Sequence, residues 1–231
     1  MVDKYNYYKN KLDPMKYRAG RQSMGTSLTG VGYLWAFLSM ISMGLSATGF
    51  YLPFWLQGTM PGVENNRTSI LVTFGPFRRC TYPRIDPDTQ ALQIIEECGR
   101  YTTFTDIPSF SWQLVTILVG TGCALSMLVA FTAMFSCCVR DVISQTLARV
   151  GGGLQLIAGL LIGGGCVLYP NGWNSWEVQQ ACGGLSAAYQ IGTCSFSWAY
   201  YLTIAGAATS ILCTCLSCHA SKEKYYGSYG M

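Results

Sequence analysis

The chain has 231 residues, half of them apolar and only 11% charged, with a formal net charge of +4. That balance excludes a disordered chain and a nucleic-acid-binding module, which need low hydrophobicity or a dense basic face. The apolar residues are bunched: no charged side chain occurs in 22–63, 113–139, 150–176 or 178–221. Each interval holds the ~20 or more apolar residues that a helix needs to cross ~30 Å of hydrocarbon.

In chain order, residues 1–27 form a basic tail carrying Lys4, Lys9, Lys11, Lys16, Arg18 and Arg21. Such a tail either lies on an anionic inner leaflet, where each cation gains about 1 kcal/mol, or stands solvated and serves topology alone. The first apolar run predicts a membrane span over 28–52. It is too long for a signal-peptide h-region and carries no small-residue cleavage site. A loop over 56–111 follows. Its first half, "TSILVTFGPFRRC" from Thr68, is β-branched and aromatic with partial alternation, and predicts strands ending near Cys80. Its second half, "DPDTQALQIIEECGRY" from Asp86, opens on an Asp-Pro turn signal and spaces Leu92, Ile94 and Ile95 with Glu96 and Glu97. That pattern predicts a short helix before Cys98. The edge strands of such a sheet are a ready recognition surface.

The second span is predicted over 112–135, with Gly120 and Ala124 four residues apart, and the third over 147–168, with Gly159 and Gly163 at the same spacing. Small residues let helix backbones approach closely in lipid. Two uses stay open for them, packing within the bundle and a face for a partner's helix. The third span runs directly into "YPNGWNSWEVQQACG", 169–183. Pro170 is expected to stop the helix and Gly172 to permit the turn. Tyr169, Trp173 and Trp176 suit the aromatic belt of a membrane–water interface. The loop they open, 169–195, is expected to rest on the first-loop sheet, with its tryptophans available to a partner. A fourth span over 196–216 and a tail over 217–231 complete the chain.

Four spans place both tails and the link between spans two and three on one side. Ten of the fifteen Lys and Arg residues lie there, against four acidic residues; by the positive-inside rule that side is cytoplasmic. Asn66-Arg67-Thr68 is an N-glycosylation sequon on the other side, so Asn66 is a glycosylation candidate. Of eleven cysteines, Cys80 and Cys98 fall in the first outside loop, and Cys182 and Cys194 in the second. Small loops in an oxidising compartment favour one disulfide each. Cys166, at the outer mouth of span three, reads as a buried thiol. Cys137, Cys138, Cys213, Cys215 and Cys218 cluster at the inner helix ends, where they are palmitoylation candidates or simply small lipid-compatible side chains.

No catalytic constellation can be assembled from one histidine, His219. "CLSCH", 215–219, matches a haem-attachment pattern but sits at a cytoplasmic helix end with no second histidine for an axial ligand. The sequence therefore predicts no cofactor, no metal and no enzyme. The spans also lack Asp, Glu, Lys or Arg at mid-membrane depth, the usual marks of a proton or ion path. What they offer is packing surface.

At this point the chain becomes recognisable. Trp55 after "YLPF", then "FGPFRRC" at 74–80, then Cys98, resembles the first-loop signature of the claudin-like four-span superfamily. "YPNGWNSWEVQQACG" followed by "YQIGTCSFSWAY", with "FTDIPS" before span two, resembles the lipoma HMGIC fusion partner-like (LHFPL) tetraspan family over about 28–216. Two departures from claudins stand out. The Cys80 to Cys98 gap is longer, and Gly75-Pro76-Phe77 stands where claudins have Gly-Leu-Trp, which speaks against barrier assembly.

The expected fold is an all-α membrane protein, a four-transmembrane-helix bundle carrying a small disulfide-braced extracellular β-sheet. The resemblance implies a plasma-membrane protein with both termini cytoplasmic that acts as an auxiliary and trafficking subunit. The family is described as serving the hair-cell mechanotransduction channel with its protocadherin tether, and inhibitory pentameric receptors with synaptic adhesion proteins. Expected partners are membrane lipid, integral-membrane channel or receptor subunits and an adhesion protein, with no nucleic acid and no small-molecule substrate. Trp55, Phe77, Trp173, Trp176, Gly159 and Gly163 are the candidate contact residues. The alternative is a claudin-like cell-junction structural protein.

Overall fold

A computed structural model describes residues 29–61, 69–85, 92–138 and 145–220. Four long helices dominate them: α1 (Gly30–Tyr51), α2 (Phe110–Cys138), α3 (Gln145–Leu168) and, after a short α4 (Trp176–Ala181), α5 (Trp198–Ser217). At 22, 29, 24 and 20 residues they are about 30 to 44 Å long at the α-helical rise, enough to cross a bilayer. Their apolar residues face outward. Phe37, Leu128, Leu160, Val167 and Leu212 are exposed, while Ser39, Ser42, Ser46, Gln155, Thr203 and Ser210 are buried. That is the reverse of a water-soluble bundle. Lipid tails solvate leucine as well as another helix does, so small and polar residues take the helix contacts.

The helices close into a ring in which α1 packs on α5 and α2, and α3 packs on α2 and α5. Close approach holds the ring together. A Cβ on Gly206 would overlap the Ser46 hydroxyl and lie 2.8 Å from Ser46 N, and one on Gly49 would lie 2.8 Å from Ala199 O. Polar side chains add hydrogen bonds between helices: Trp35 Nε1 donates to Gln155 Oε1 at 2.8 Å and Gln155 Nε2 to Ser39 Oγ at 2.6 Å. Ser210 Oγ donates to Gln155 O and Ser42 Oγ to Gly206 O, both at 2.9 Å. Thr29 caps α1 by accepting from Gly32 N at 3.0 Å and donates to His219 O at 2.6 Å. The start of α1 is thereby tied to the end of α5.

At one end of the bundle lies a five-stranded antiparallel sheet in the order β4-β3-β2-β1-β5. Its strands are β1 (Leu56–Pro61), β2 (Ser69–Phe74), β3 (Arg78–Ile85), β4 (Leu92–Arg100) and β5 (Ser195–Phe196). The two-residue β5 comes from the second loop and pairs with β1 at Leu56 and Gln57. Both loops therefore contribute to one sheet.

The segment before Cys98 is strand rather than the expected helix. Cys80 pairs with Cys98 and Tyr82 with Ile95, so β4 advances three residues while β3 advances two. The extra residue is a β-bulge in which Glu96 and Glu97 oppose Thr81, itself at φ 57°. A bulge shifts the alternation by one position. Paired apolar and paired acidic residues then mimic the spacing of a helix.

Candidate interaction surface

An aromatic core joins the sheet to the bundle, and the second loop is its keystone. Tyr169 stacks on Trp112 with centroids 4.8 Å apart and 6° between planes, and Trp55 meets Tyr169 edge-on at 4.9 Å. Such pairs each add about 0.5–1.5 kcal/mol beyond area burial. Three of the polar ends are satisfied: Trp112 Nε1 donates to Tyr169 O at 3.0 Å, Trp55 Nε1 to Gly49 O at 2.7 Å, and Tyr200 OH to Cys166 O at 3.0 Å, whereas Trp173 Nε1 is buried without a partner. Trp173 packs on Phe196, 5.4 Å away, and Phe196 stacks on Tyr200 at 4.6 Å.

Tyr169 and Trp173 are thus 0% and 3% exposed, core residues rather than members of an interfacial belt. Pro170 does not end the helical path abruptly either. It sits in the first turn of a 3-10 segment, Tyr169–Asn174, that continues α3. Gly172 is required for close approach, since a Cβ there would overlap the Trp112 indole and the Ser109 hydroxyl. Ser175, whose N–H donates to Gly172 O at 3.2 Å, then opens α4.

The second loop is fastened to the sheet in three further ways. A Cβ on Gly58 of β1 would lie 2.6 Å from both Ala181 O and Cys194 Sγ, so the loop rests directly on that strand. Disulfides Cys182–Cys194 and Cys80–Cys98, with Cα separations of 4.9 and 4.0 Å, close the loop and brace β3 to β4. Glu177 Oε2 lies 2.7 Å from Arg79 Nη1 and accepts from Tyr101 OH at 3.2 Å, which links α4 to β3 and to the residue after β4. The Arg79 guanidinium also lies over the Tyr101 ring at 4.9 Å. Burial first, and the Glu177 charge second, hold the Tyr101 phenol above its ordinary range, so it remains a proton donor to Glu177.

Of the six candidate contact residues, Trp55 is 0% exposed and Trp173 is buried beneath the loop. Phe77 is half-buried against Phe50, 4.8 Å away. Gly159 serves α5, where a Cβ would lie 2.7 Å from Ile211 Cγ1 and 3.1 Å from Ala207 O. Gly163 faces open space, and Trp176 is 72% exposed. The structure does not bring these six together. It assigns three to internal packing and leaves Trp176, with Leu185 and Leu71, as exposed apolar residues of the platform.

Sequence reasoning missed Trp112, Tyr101 and the Arg79–Glu177 pair. One signal was present: Glu177 is the only charged residue in 150–221, and a lone charge amid apolar residues points to a partner. Among the cysteines, Cys166 is a buried thiol, Cys213 is buried in the lower core, Cys137 is half-buried, and Cys215 and Cys218 are exposed. Asn66 lies outside the described residues, as do residues 1–28, 139–144 and 221–231. Among the described residues no three His, Cys, Asp or Glu side chains gather as a metal site.

The family profile described as "Lipoma HMGIC fusion partner-like protein" matches residues 31–222, which take in all four spans and both loops. The chain belongs to this family. It is similar to LHFPL tetraspan subfamily member 2a protein of Danio rerio and to the member 2 protein of Homo sapiens. Each is 32% identical over 197 residues, covering 81% of this chain and 85% of the relative. A member 3 protein of Danio rerio is 29% identical over 189 residues, 81% of this chain and 80% of the relative. With four helices long and apolar enough to span a bilayer, this LHFPL-family protein is a multi-pass membrane protein. The relatives' names describe tetraspan proteins. In this LHFPL chain the sheet, the second loop and the aromatic core form one structural unit above the spans.

Proposed function

We propose that this protein is a non-enzymatic auxiliary and trafficking subunit of a multi-protein membrane complex, an ion channel of mechanotransduction type or a neurotransmitter receptor. Trp176 carries the reading. It stands 72% exposed at the start of α4, on a loop fixed beneath by a disulfide, an ion pair and an aromatic stack. An exposed tryptophan on a pre-organised support loses little side-chain and loop entropy on binding and is the residue type that dominates interface energies. The outward faces of the helices, including the open Gly163, would meet the partner's transmembrane segments while the platform meets its ectodomain.

In this arrangement the protein sits in the plasma membrane with both tails cytoplasmic, as the distribution of Lys and Arg favours. The four-span unit over 28–216 does the binding, and the tails over 1–27 and 217–231 are cytoplasmic. Asn66 would be glycosylated on the platform side, and Cys137, Cys138, Cys215 and Cys218 would be the palmitoylation sites. Tagging the protein at its own locus, solubilising native membrane in mild detergent and identifying stoichiometric companions by mass spectrometry tests the proposal. A channel or receptor subunit supports it; recovery of the protein alone counts against it.

One observation favours a junctional role instead. Among the described residues β4 has a neighbour on one side only, and an open strand edge invites side-by-side association. A junctional protein expressed alone should build continuous strands at cell contacts. An auxiliary subunit should remain diffuse.

A further inference from the structure

Arg78 and Arg100 stand directly opposite one another across β3 and β4. Like charges in directly opposed cross-strand positions repel. Among the described residues neither has an ion-pair partner; Glu177 is engaged by Arg79. Arg78 is held on one side by the Tyr51 ring, 4.4 Å from its guanidinium carbon, and its Nε is buried with no hydrogen-bond partner. Buried charged donors are costly to leave unpaired. The pair therefore presents two guanidiniums, one with an unanswered buried donor, to an anion.

Its level in the molecule narrows the anion. Tyr51 is the last residue of α1 and Phe110 the first of α2, and they are 60% and 78% exposed. The arginines thus sit where the helices leave the hydrocarbon, the depth of lipid headgroups. Beside Arg100 opens a cavity of about 340 Å³ lined by Arg100, Phe77, Tyr101, Phe104, Ile107 and three threonines, Thr102, Thr103 and Thr116. Arg100 supplies a charged end and the aromatic and aliphatic side chains an apolar one. Thr116, in the second turn of α2, donates to Pro76 O of the β2–β3 turn at 3.2 Å, so the cavity lies at the junction of sheet and span. Asp106, next to the lining residue Ile107, accepts from Thr103 N at 2.9 Å as a helix cap.

We propose that Arg78 and Arg100 clamp the phosphodiester of a phospholipid from the sheet-side leaflet, with its glycerol and upper acyl chains in this cavity. Guanidinium binds phosphate through paired, charge-assisted hydrogen bonds. A soluble acidic peptide would satisfy the charge but not the apolar side of a cavity at the junction of sheet and membrane span.

Purified, delipidated full-length protein in a neutral detergent, titrated with dioleoyl phosphatidylcholine and read by native mass spectrometry, tests this. One bound phospholipid per chain is expected, with roughly tenfold weaker binding in Arg100→Gln and partial rescue in Arg100→Lys. Dioleoylglycerol, which lacks the phosphate, and inorganic phosphate, which lacks the chains, should each bind far more weakly. Equal retention by wild type and Arg100→Gln overturns the proposal, as does equal binding of dioleoylglycerol. Arg100-dependent binding of polyglutamate without phosphatidylcholine binding overturns it in favour of an acidic protein segment. Arg100 is exposed, so its substitution should leave the fold intact, checked by an unchanged melting temperature. Phe104→Ser, at a position 48% exposed, should also weaken phosphatidylcholine and provides a second variant.

Discussion

Replacing Glu177 with alanine should loosen the second loop from the sheet without unfolding the bundle. The carboxylate holds Arg79 at 2.7 Å and the Tyr101 hydroxyl at 3.2 Å, and the Arg79 and Glu177 side chains are 23% and 31% exposed. Exposed ion pairs contribute about 0–1 kcal/mol, and hydrogen bonds to charged groups about 1.5–3 kcal/mol. A pair screened to this degree falls between, so Glu177→Ala should cost about 1–2 kcal/mol. Part of that is the buried Tyr101 hydroxyl losing its acceptor. A double-mutant cycle with Tyr101→Phe, measured by thermal unfolding in mild detergent, should give a coupling of about 0.5–1 kcal/mol. Hydrogen exchange should quicken over 176–194 and stay unchanged in the spans. Because burial raises the Tyr101 phenol, its contribution is complete below the ordinary phenol value of about 10 and is lost only as pH rises through the higher folded value. The coupling should therefore be constant from about pH 7 to 9. A Glu177→Ala protein with wild-type melting and wild-type exchange over 176–194 refutes the idea that the loops act as one unit.

Gln155→Leu breaks the bonds to Trp35 and Ser39 inside the bundle. At about 0.6 to 1.7 kcal/mol per interhelical bond the loss should be about 1–3 kcal/mol in detergent unfolding, partly recovered on adding Trp35→Phe. Gly206→Ala places a methyl group against Ser46 backbone and should destabilise by about 1–3 kcal/mol. Gly163→Ala, which meets nothing within 4 Å, should be neutral or stabilising by up to about 1 kcal/mol, and any effect it has on partner recovery marks that face as a contact. Cys182→Ser opens a loop with a sequence separation of 12, worth about 3 kcal/mol in chain entropy; surface biotinylation should show reduced delivery of the variant.

The four spans were legible because charge is absent from them, and a missing charge needs no knowledge of what packs where. The loop architecture was less accessible. The doubled Ile94-Ile95 and Glu96-Glu97 pairs carry the pattern of a helix, and only pairing with β3 exposes the bulge that produces it. Tyr169 and Trp173 resemble belt residues in isolation, yet Tyr169 stacks on Trp112, 57 residues earlier in the chain, and Trp173 packs at a tilt on Phe196, and both are buried. Gly159 and Gly163 share one motif but different surroundings, one against α5 and one facing outward. A four-residue spacing says that two glycines lie on a similar face; it does not say what lies opposite. Glu177 carried the one local hint, since an isolated charge beside the membrane has to be answered.

The most direct measurement is photocrosslinking from position 176 in native membrane. With a photoreactive amino acid in place of Trp176, covalent capture of a loop or ectodomain of a channel or receptor subunit is expected. Capture of lipid alone, or of further copies of this chain in cell-contact strands, contradicts the role as an auxiliary subunit.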